Sequence, residues 1–226
     1  MKKIDLNVDV GEGAGFDEEL LTYATSANIC CGAHAGSAEH AIEIARMARA
    51  NGVRVGAHPG YPDREFMGRR YWDDLPDEIR DGILGNLIGQ VNVLKGRIHY
   101  IKPHGALYNE AAHAGEIAIL LSAVVARFSL PLLGLEASYH KTIAETVGVP
   151  LIKEGFADRR YTPEGLLVPR SQPGAMISDL TEVRQQVLEL AGRVDSICVH
   201  GDGPEAVQIL ACAKDSLLSA GYEVGA

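Results

Sequence analysis

The chain has 226 residues, 46% of them apolar, with 21 basic and 30 acidic side chains and a formal net charge of −9. That length holds one sizeable core in one or two domains, and the absence of a dense Lys/Arg cluster argues against a nucleic-acid partner. No run of about 18 apolar residues is present, so no helical membrane span is expected; MKKIDLNVDV reaches Asp5 without an apolar h-region, so no signal peptide is read and a cytoplasmic location is expected.

Residues 3–10 alternate strictly, Ile4, Leu6, Val8 and Val10 against Asp5, Asn7 and Asp9, which predicts a strand. A short helix over 16–23 and a strand over 26–31 follow. The helix predicted over 37–51 has Ser37 as N-cap and Gly52 as its stop. A third strand covers 53–57, and a long helix weakened by Gly82, Gly85 and Gly89 covers 76–95. The pattern then predicts strand 98–102 with helix 110–128, strand 131–135 with helix 138–147, and strand 150–154 with helix 179–191. Strand 196–200 and helix 204–220, with Pro204 at its first position, close the chain.

Seven strands alternating with seven helices imply parallel strands joined by right-handed crossovers. No linker or repeat divides the chain, so a single domain over 1–226 is expected. The first strand favours a closed barrel over an open sheet. Its polar set, Asp5, Asn7 and Asp9, needs a bonded or cavity-lined interior, whereas doubly wound strands are apolar on both faces. The connections 59–75 and 155–178 are long and rich in Arg, Asp and aromatics, as functional loops often are. Cys30, Cys31, Cys198 and Cys212 lie in apolar context without C-x-x-C spacing and read as small buried hydrophobes.

His34, His58, His104 and His200 each fall where an apolar run gives way to Gly or Pro. β/α barrels gather their chemistry at the carboxyl ends of strands, so these four are expected to converge on one cavity with Asp9. One such histidine reads equally as a satisfied buried side chain; four argue for an enzyme. As neutral imidazoles they suit acid–base chemistry, or a metal shared with Asp5 or Asp9. Lys102 and His104 share a strand face, and a fixed cation there suits a developing oxyanion. On that role, replacing Lys102 costs turnover more than stability; the alternative is a Lys–Asp pair across the barrel with Asp5 or Asp9.

The glycine-rich turn around Glu12 matches no phosphate fingerprint, and no Walker-type loop occurs in the chain. Arg64 in the first long loop, and Asp158, Arg159 and Arg170 in the second, supply groups suited to carboxylate or phosphate recognition or to surface salt bridges. Asp202 reads as part of an anion site ahead of the last helix, or as its cap. The adjacent cysteines offer no chelating spacing, so no structural metal is expected and no metal ligand is assigned.

The segments SANICCGAHAG (26–36), GAHPGYPDRE (56–65), KPHGALYN (102–109), FADRRY (156–161), LVPRSQPGA (167–175) and HGDG (200–203), with the opening IDLNVDVGEG, resemble the LamB/YcsF family along nearly the whole chain. The resemblance implies a seven-stranded β/α barrel related to glycoside hydrolases and polysaccharide deacetylases. It also implies the role of the A component in the prokaryotic 5-oxoprolinase, which cleaves 5-oxo-L-proline to L-glutamate with ATP and with B and C subunits as partners. ATP with Mg2+ is the implied cofactor, held here or on the partners. Under that reading Asp9 or His104 is the acid/base and Lys102 meets negative charge. Asn7, Glu12, Asn28, His34, His58, Arg64, Asp158, Arg159, Arg170, His200 and Asp202 are then the candidates for binding substrate or phosphate. The chain departs from the family at Ala33 and Ser37, which replace an aromatic and an acid, and in a short segment over 192–196. Two other readings stand beside it: a stand-alone zinc hydrolase using Asp9, His34 and His58, and a non-catalytic substrate-holding subunit.

Overall fold

A computed structural model describes residues 2–226. Its seven main strands are β1 (Lys3–Val10), β2 (Ser26–Cys30), β3 (Arg54–His58), β4 (Tyr100–Ile101), β5 (Leu132–Gly134), β6 (Leu151–Phe156) and β7 (Ser196–Val199). All pair in parallel with their neighbours in chain order, and β1 pairs with both β2 (Asn7 opposite Ser26) and β7 (Asp5 opposite Ser196), which closes the ring. Around it run α1 (Asp17–Tyr23), α2 (Ala38–Ala50), α3 (Asp77–Arg80), α4 (Ile83–Val93), α5 (Gly105–Ala111), α6 (Glu116–Phe128), α7 (Tyr139–Val147), α8 (Leu180–Leu190) and α9 (Ala206–Ser219). A short β8 (Glu223–Val224) pairs with Lys3 and Ile4 at the start of β1. The fold is the α/β barrel that the polar face of the first strand implied. Among the described residues no single helix is long and apolar enough to cross a membrane.

The two faces of β1 explain the closure. Ile4, Leu6, Val8 and Val10 are buried in the main apolar core. Asp5, Asn7 and Asp9 are equally buried, but every one is bonded. Asp5 accepts from Thr25 Oγ1 and Ser26 Oγ at 2.7 Å each, from Ser196 Oγ, and from the Arg54 guanidinium at 3.1 Å. Asn7 Nδ2 donates to Ser196 Oγ at 2.7 Å, and Asn28 Nδ2 donates to Asn7 Oδ1 at 2.7 Å and to Asp9 Oδ1 at 2.8 Å. A polar ladder therefore climbs the barrel interior to the site, with its desolvation offset at each rung. Gly56 is needed beside it, because a Cβ there would stand 2.2 Å from the Tyr100 ring. That ring delivers its hydroxyl to Asn28 Oδ1 at 2.7 Å.

Ser37 caps α2 by accepting from His40 N–H, as expected of an N-cap serine. Two predicted helices are each broken in two. The one expected over 76–95 divides into α3 and α4 at Gly82, whose φ of +75° is left-handed. The one expected over 110–128 begins earlier, as α5, and turns by 108° into α6, with Gly115 at φ +142° between them. Apolar periodicity continues through both breaks, so glycine backbone freedom, not hydrophobic pattern, sets these ends. All four cysteines are free and buried.

Asp5→Ala leaves three hydroxyl donors and one guanidinium without their acceptor. The expected loss is on the order of 3 kcal/mol, or roughly 6–12 °C in melting temperature for a chain of this size. Thermal denaturation checks it; a change within about 0.5 kcal/mol would show that water replaces the carboxylate.

Candidate active site

The carboxyl ends of the strands surround a cavity of about 290 Å³. Asp9 comes from β1, His58 from β3, Lys102 and His104 from the turn after β4, Phe156 from β6 and Arg159 from just beyond it, and His200 from just after β7.

Lys102 is buried at the floor. Its Nζ lies 2.8 Å from Asp9 Oδ1, 2.9 Å from Glu154 Oε1 and 3.0 Å from Cys198 Sγ. Burial disfavours the ammonium, but Asp9 leads the groups that outweigh it, and the amine is held well above the usual lysine range. Burial likewise opposes the Asp9 carboxylate, and Lys102 leads the cations that hold it well below the usual range. Glu154 fares differently: burial pushes it up to about 7, against the pull of Lys102. Tyr108 donates to its other oxygen at 2.9 Å. The Lys–Asp pair that the sequence offered as the alternative role of Lys102 is present. Removing one member of a buried pair costs about 3–5 kcal/mol, so Lys102→Ala is expected to lose stability whatever its effect on turnover.

His200 lines the same cavity from just after β7. Its Nδ1 is 3.0 Å from both oxygens of Asp158, whose Oδ2 also accepts the His200 backbone N–H at 2.9 Å. Burial lowers the His200 pKa and Asp158 opposes it, so the net direction is toward a neutral ring. Nε2 is left facing Asp9 Oδ2 at 4.0 Å. An imidazole oriented by a carboxylate on one nitrogen, with the other free in a cavity, is the geometry of a general acid/base.

A second cluster packs behind His58. His58 Nε2 is 3.0 Å from His104 Nδ1 and 3.5 Å from Asp9 Oδ2. Glu12 Oε1 is 3.1 Å from His104 Nδ1, 3.4 Å from His34 Nε2 and 3.7 Å from His58 Nε2. His34 stacks flat on His104, 3.8 Å between centroids. Burial, then the neighbouring His104, pushes His34 down to about 4. The first long loop packs directly on these rings. A Cβ at Gly60 would lie 2.9 Å from His34 Nδ1, and one at Gly68, where φ is +65°, would lie 3.0 Å from the His34 Cβ.

Arginines form the rim. Arg170 and Arg69 both pair with Asp202, the former at 2.9 Å. Asp202 therefore holds the rim together instead of capping α9, which starts at Ala206 without a side-chain cap. Arg159 donates to Val168 O at 2.6 Å, while its buried Nε has no partner. Burial, and then Arg170, lowers its pKa to about 10.

Of the sequence candidates, Asp9, His58, Lys102, His104, Arg159, Arg170 and His200 line the cavity. Glu12, Asp158 and Asp202 touch those residues. Asn28 bonds Asp9 from below, Asn7 lies one rung lower, and His34 is covered by the loop. Arg64 is not in the site: it donates to Gly32 O and Gly36 O at 2.9 Å each and braces the turn that carries His34. Arg69 and Tyr71 from the same loop line the cavity in its place. Sequence reasoning also missed Glu154, whose signal was an acid near the carboxyl end of a strand.

Oriented imidazole, buried lysine–carboxylate floor and arginine rim all project from strand ends of one closed parallel ring, the arrangement by which β/α-barrel enzymes assemble a reaction centre. The chain belongs to the LamB/YcsF family, whose model matches residues 4–226. It is 43% identical to a protein of Neisseria meningitidis serogroup C named as the A subunit of 5-oxoprolinase, covering 100% of both chains. It is 40% identical to another of that name from Pyrococcus furiosus, covering 98% of this chain and 96% of the relative. The solved "Lactam Utilization Protein" of Thermus thermophilus superposes with a TM-score of 0.84 at 36% identity, covering 100% of both chains.

Glu154 yields a pH test. Its folded pKa of about 7 stands above the ordinary 4.5, so its contribution to stability is full below about 4.5 and is lost as pH rises through about 7. Between pH 5 and 8 the wild type is expected to lose at least about 1.4 kcal/mol relative to Glu154→Gln, or roughly 3–5 °C in melting temperature. Parallel melting profiles across that range would mean Glu154 titrates at its ordinary value.

Proposed function

We propose that this chain is the A subunit of a multi-subunit 5-oxoprolinase, opening the lactam of 5-oxo-L-proline to L-glutamate in an ATP-coupled reaction with B and C subunits in the cytoplasm. The full-length similarity to proteins of that name supports the reading. The observation that carries it in the site is one small cavity lined both by a His200 whose Nε2 has no hydrogen-bond partner in the fold and by Arg69, Arg159 and Arg170. A substrate bearing one carboxylate and one reactive cyclic amide needs those two ends. The cavity, about 290 Å³, sits near the lower edge of ligand pockets, about 300 Å³.

A five-membered lactam is resonance-stabilised, and phosphorylation of its carbonyl oxygen would make an activated imidate open to water. In this reading Arg159, whose Nε has no partner within the fold, binds the carboxylate or the phosphate, with Arg170 beside it. His200 Nε2 takes the proton of the attacking water, its ring held by Asp158. The new carbon–oxygen bond forms at the imidate carbon, the ring carbon–nitrogen bond breaks as the nitrogen takes a proton, and the γ-glutamyl phosphate so formed passes its phosphate to a second water, leaving the glutamate carboxylate. Lys102 keeps Asp9 ionised opposite His200, which favours the imidazolium formed in that step. His104 is the weaker of the two acid/base candidates from the sequence, because its Nε2 donates to Met67 O and its Nδ1 is turned to His58 and Glu12. The stand-alone zinc reading through Asp9, His34 and His58 is disfavoured: Asp9 is taken by Lys102, and His34 lies under the loop. With no Walker-type loop in the chain, ATP and Mg2+ are assigned to the partner subunits.

Glutamate release from 5-oxoproline is expected only when this chain, ATP and the B and C subunits are combined. Robust ATPase activity by the purified chain alone would instead put the nucleotide site here. In the assembled enzyme His200→Ala is expected to lower kcat about 10²–10⁴-fold with little change in KM. Arg159→Ala is expected to raise KM about 10- to 100-fold, as loss of a charge-assisted bond predicts. Steady-state kinetics separate the two roles; the reverse pattern would exchange them.

A further inference from the structure

We propose that Glu12, His58 and His104 form a binding site for one divalent transition ion of the zinc class. The ligand set differs from the Asp9–His34–His58 trio considered from the sequence, and it runs against the expectation of no metal. It does not depend on 5-oxoproline being the substrate.

Hydrogen-bond accounting exposes the site. His58 Nδ1 lies 2.8 Å from Lys102 O, and His104 Nε2 lies 2.8 Å from Met67 O. A carbonyl oxygen can only accept, so those two nitrogens carry the ring protons. In the neutral rings the other two nitrogens, His58 Nε2 and His104 Nδ1, are then bare lone pairs, and they face each other at 3.0 Å. Glu12 Oε1, a third acceptor, completes the triangle at 3.1 Å from His104 Nδ1 and 3.7 Å from His58 Nε2. Its side chain is 4% exposed, and beyond the two rings its nearest possible donor is His34 Nε2, 3.4 Å away. Three acceptors directed at one point, two of them on side chains that line the cavity, are satisfied together by a cation between them.

The dimensions suit a metal. Around a tetrahedral ion with bonds of about 2.0–2.1 Å, ligand atoms stand about 3.3 Å apart, against the 3.0, 3.1 and 3.7 Å here. The outer bonds suit it too. A ligating histidine usually gives its second N–H to a carbonyl or carboxylate, which fixes the ring and its tautomer, and both rings do so here. Two imidazoles and one carboxylate are a borderline donor set, fitting Zn2+ or Co2+ better than the oxygen-seeking Mg2+ or Ca2+. His58 and His104 line the cavity while Glu12 does not. The remaining coordination position therefore opens toward the cavity side that holds Asp9 and His200, leaving room for a water or substrate oxygen.

The test uses tag-free, chelator-dialysed chain titrated with Co2+, whose visible bands report coordination, with Zn2+ as competitor. One ion per chain is expected, displaced by Zn2+, with a melting temperature that rises with ion concentration. His58→Ala and His104→Ala are expected to weaken binding at least about 100-fold and Glu12→Gln at least about tenfold, while His113→Ala, at an exposed histidine, leaves it unchanged. Circular dichroism shows which variants fold. If none does, zinc-edge X-ray absorption of the wild type decides, with two imidazole nitrogens and one oxygen at about 2.0–2.1 Å expected. Folded wild type that takes up no ion at about 1 mM Co2+ overturns the proposal. So does undiminished binding by a folded His58→Ala chain, or nitrogen NMR showing a proton held between the two rings under metal-saturating conditions.

Discussion

Lys102 carries a positive charge into the interior of a closed barrel, where water cannot solvate it. Asp9 and Glu154 meet it from two other strands, at 2.8 and 2.9 Å, and the rest of the site is arranged around that contact. Asp9 ends the polar ladder that begins at Asp5, so the charge on Lys102 is tied through Asn28 and Asn7 to the residues that line the inner face of the barrel. Two carboxylates against one ammonium cannot both be fully ionised at low cost. Burial resolves this by raising Glu154 while Asp9 stays charged. The floor is therefore a charge-adjusting unit as well as a structural one, and the free side of Asp9 faces the imidazoles of His58 and His200.

Close backbone approach builds the second layer. The first long loop reaches the rings of His34 and His104 only because Gly60 and Gly68 present no Cβ. Met67, itself left-handed at φ +53°, then offers its carbonyl to His104 Nε2 at 2.8 Å. The same loop supplies Arg69 and Tyr71 to the rim and ties Asp63 to Arg70. Loop, histidine cluster and rim are thus mechanically joined. The Met67 carbonyl makes His104 Nε2 the proton-bearing nitrogen, and Arg69 of the same loop shares Asp202 with Arg170.

Much of this was legible in residue order because the relevant signals are local. Period-two alternation over 3–10 exposed a strand with one polar face, and a polar face is compatible with a parallel strand only inside a barrel or beside a cavity. Histidines at strand ends marked the mouth, since side chains there project into a common space. Where sequence reasoning erred, a local signal was read without its spatial partner. Arg64 and Arg69 look alike in the chain, but Arg64 finds Gly32 O and Gly36 O. Asp202 reads in the sequence as an anion-site residue or a helix cap, and in the fold it is Arg69 and Arg170 that pair with it.

The order of residues by itself determined the strand and helix succession, the inward set Asp5, Asn7 and Asp9, the capping serine at 37, and the histidines available at the mouth. These follow from side-chain periodicity and backbone preference, which act over a few positions. Only the tertiary structure decided which polar groups meet. Glu154 and Lys102 are brought together from strands far apart in the chain, as are Glu12 and His104, and Asp158 and His200. Protonation, tautomer and reactivity depend on distances of a few ångströms between such residues, and barrel closure, not sequence spacing, sets those distances.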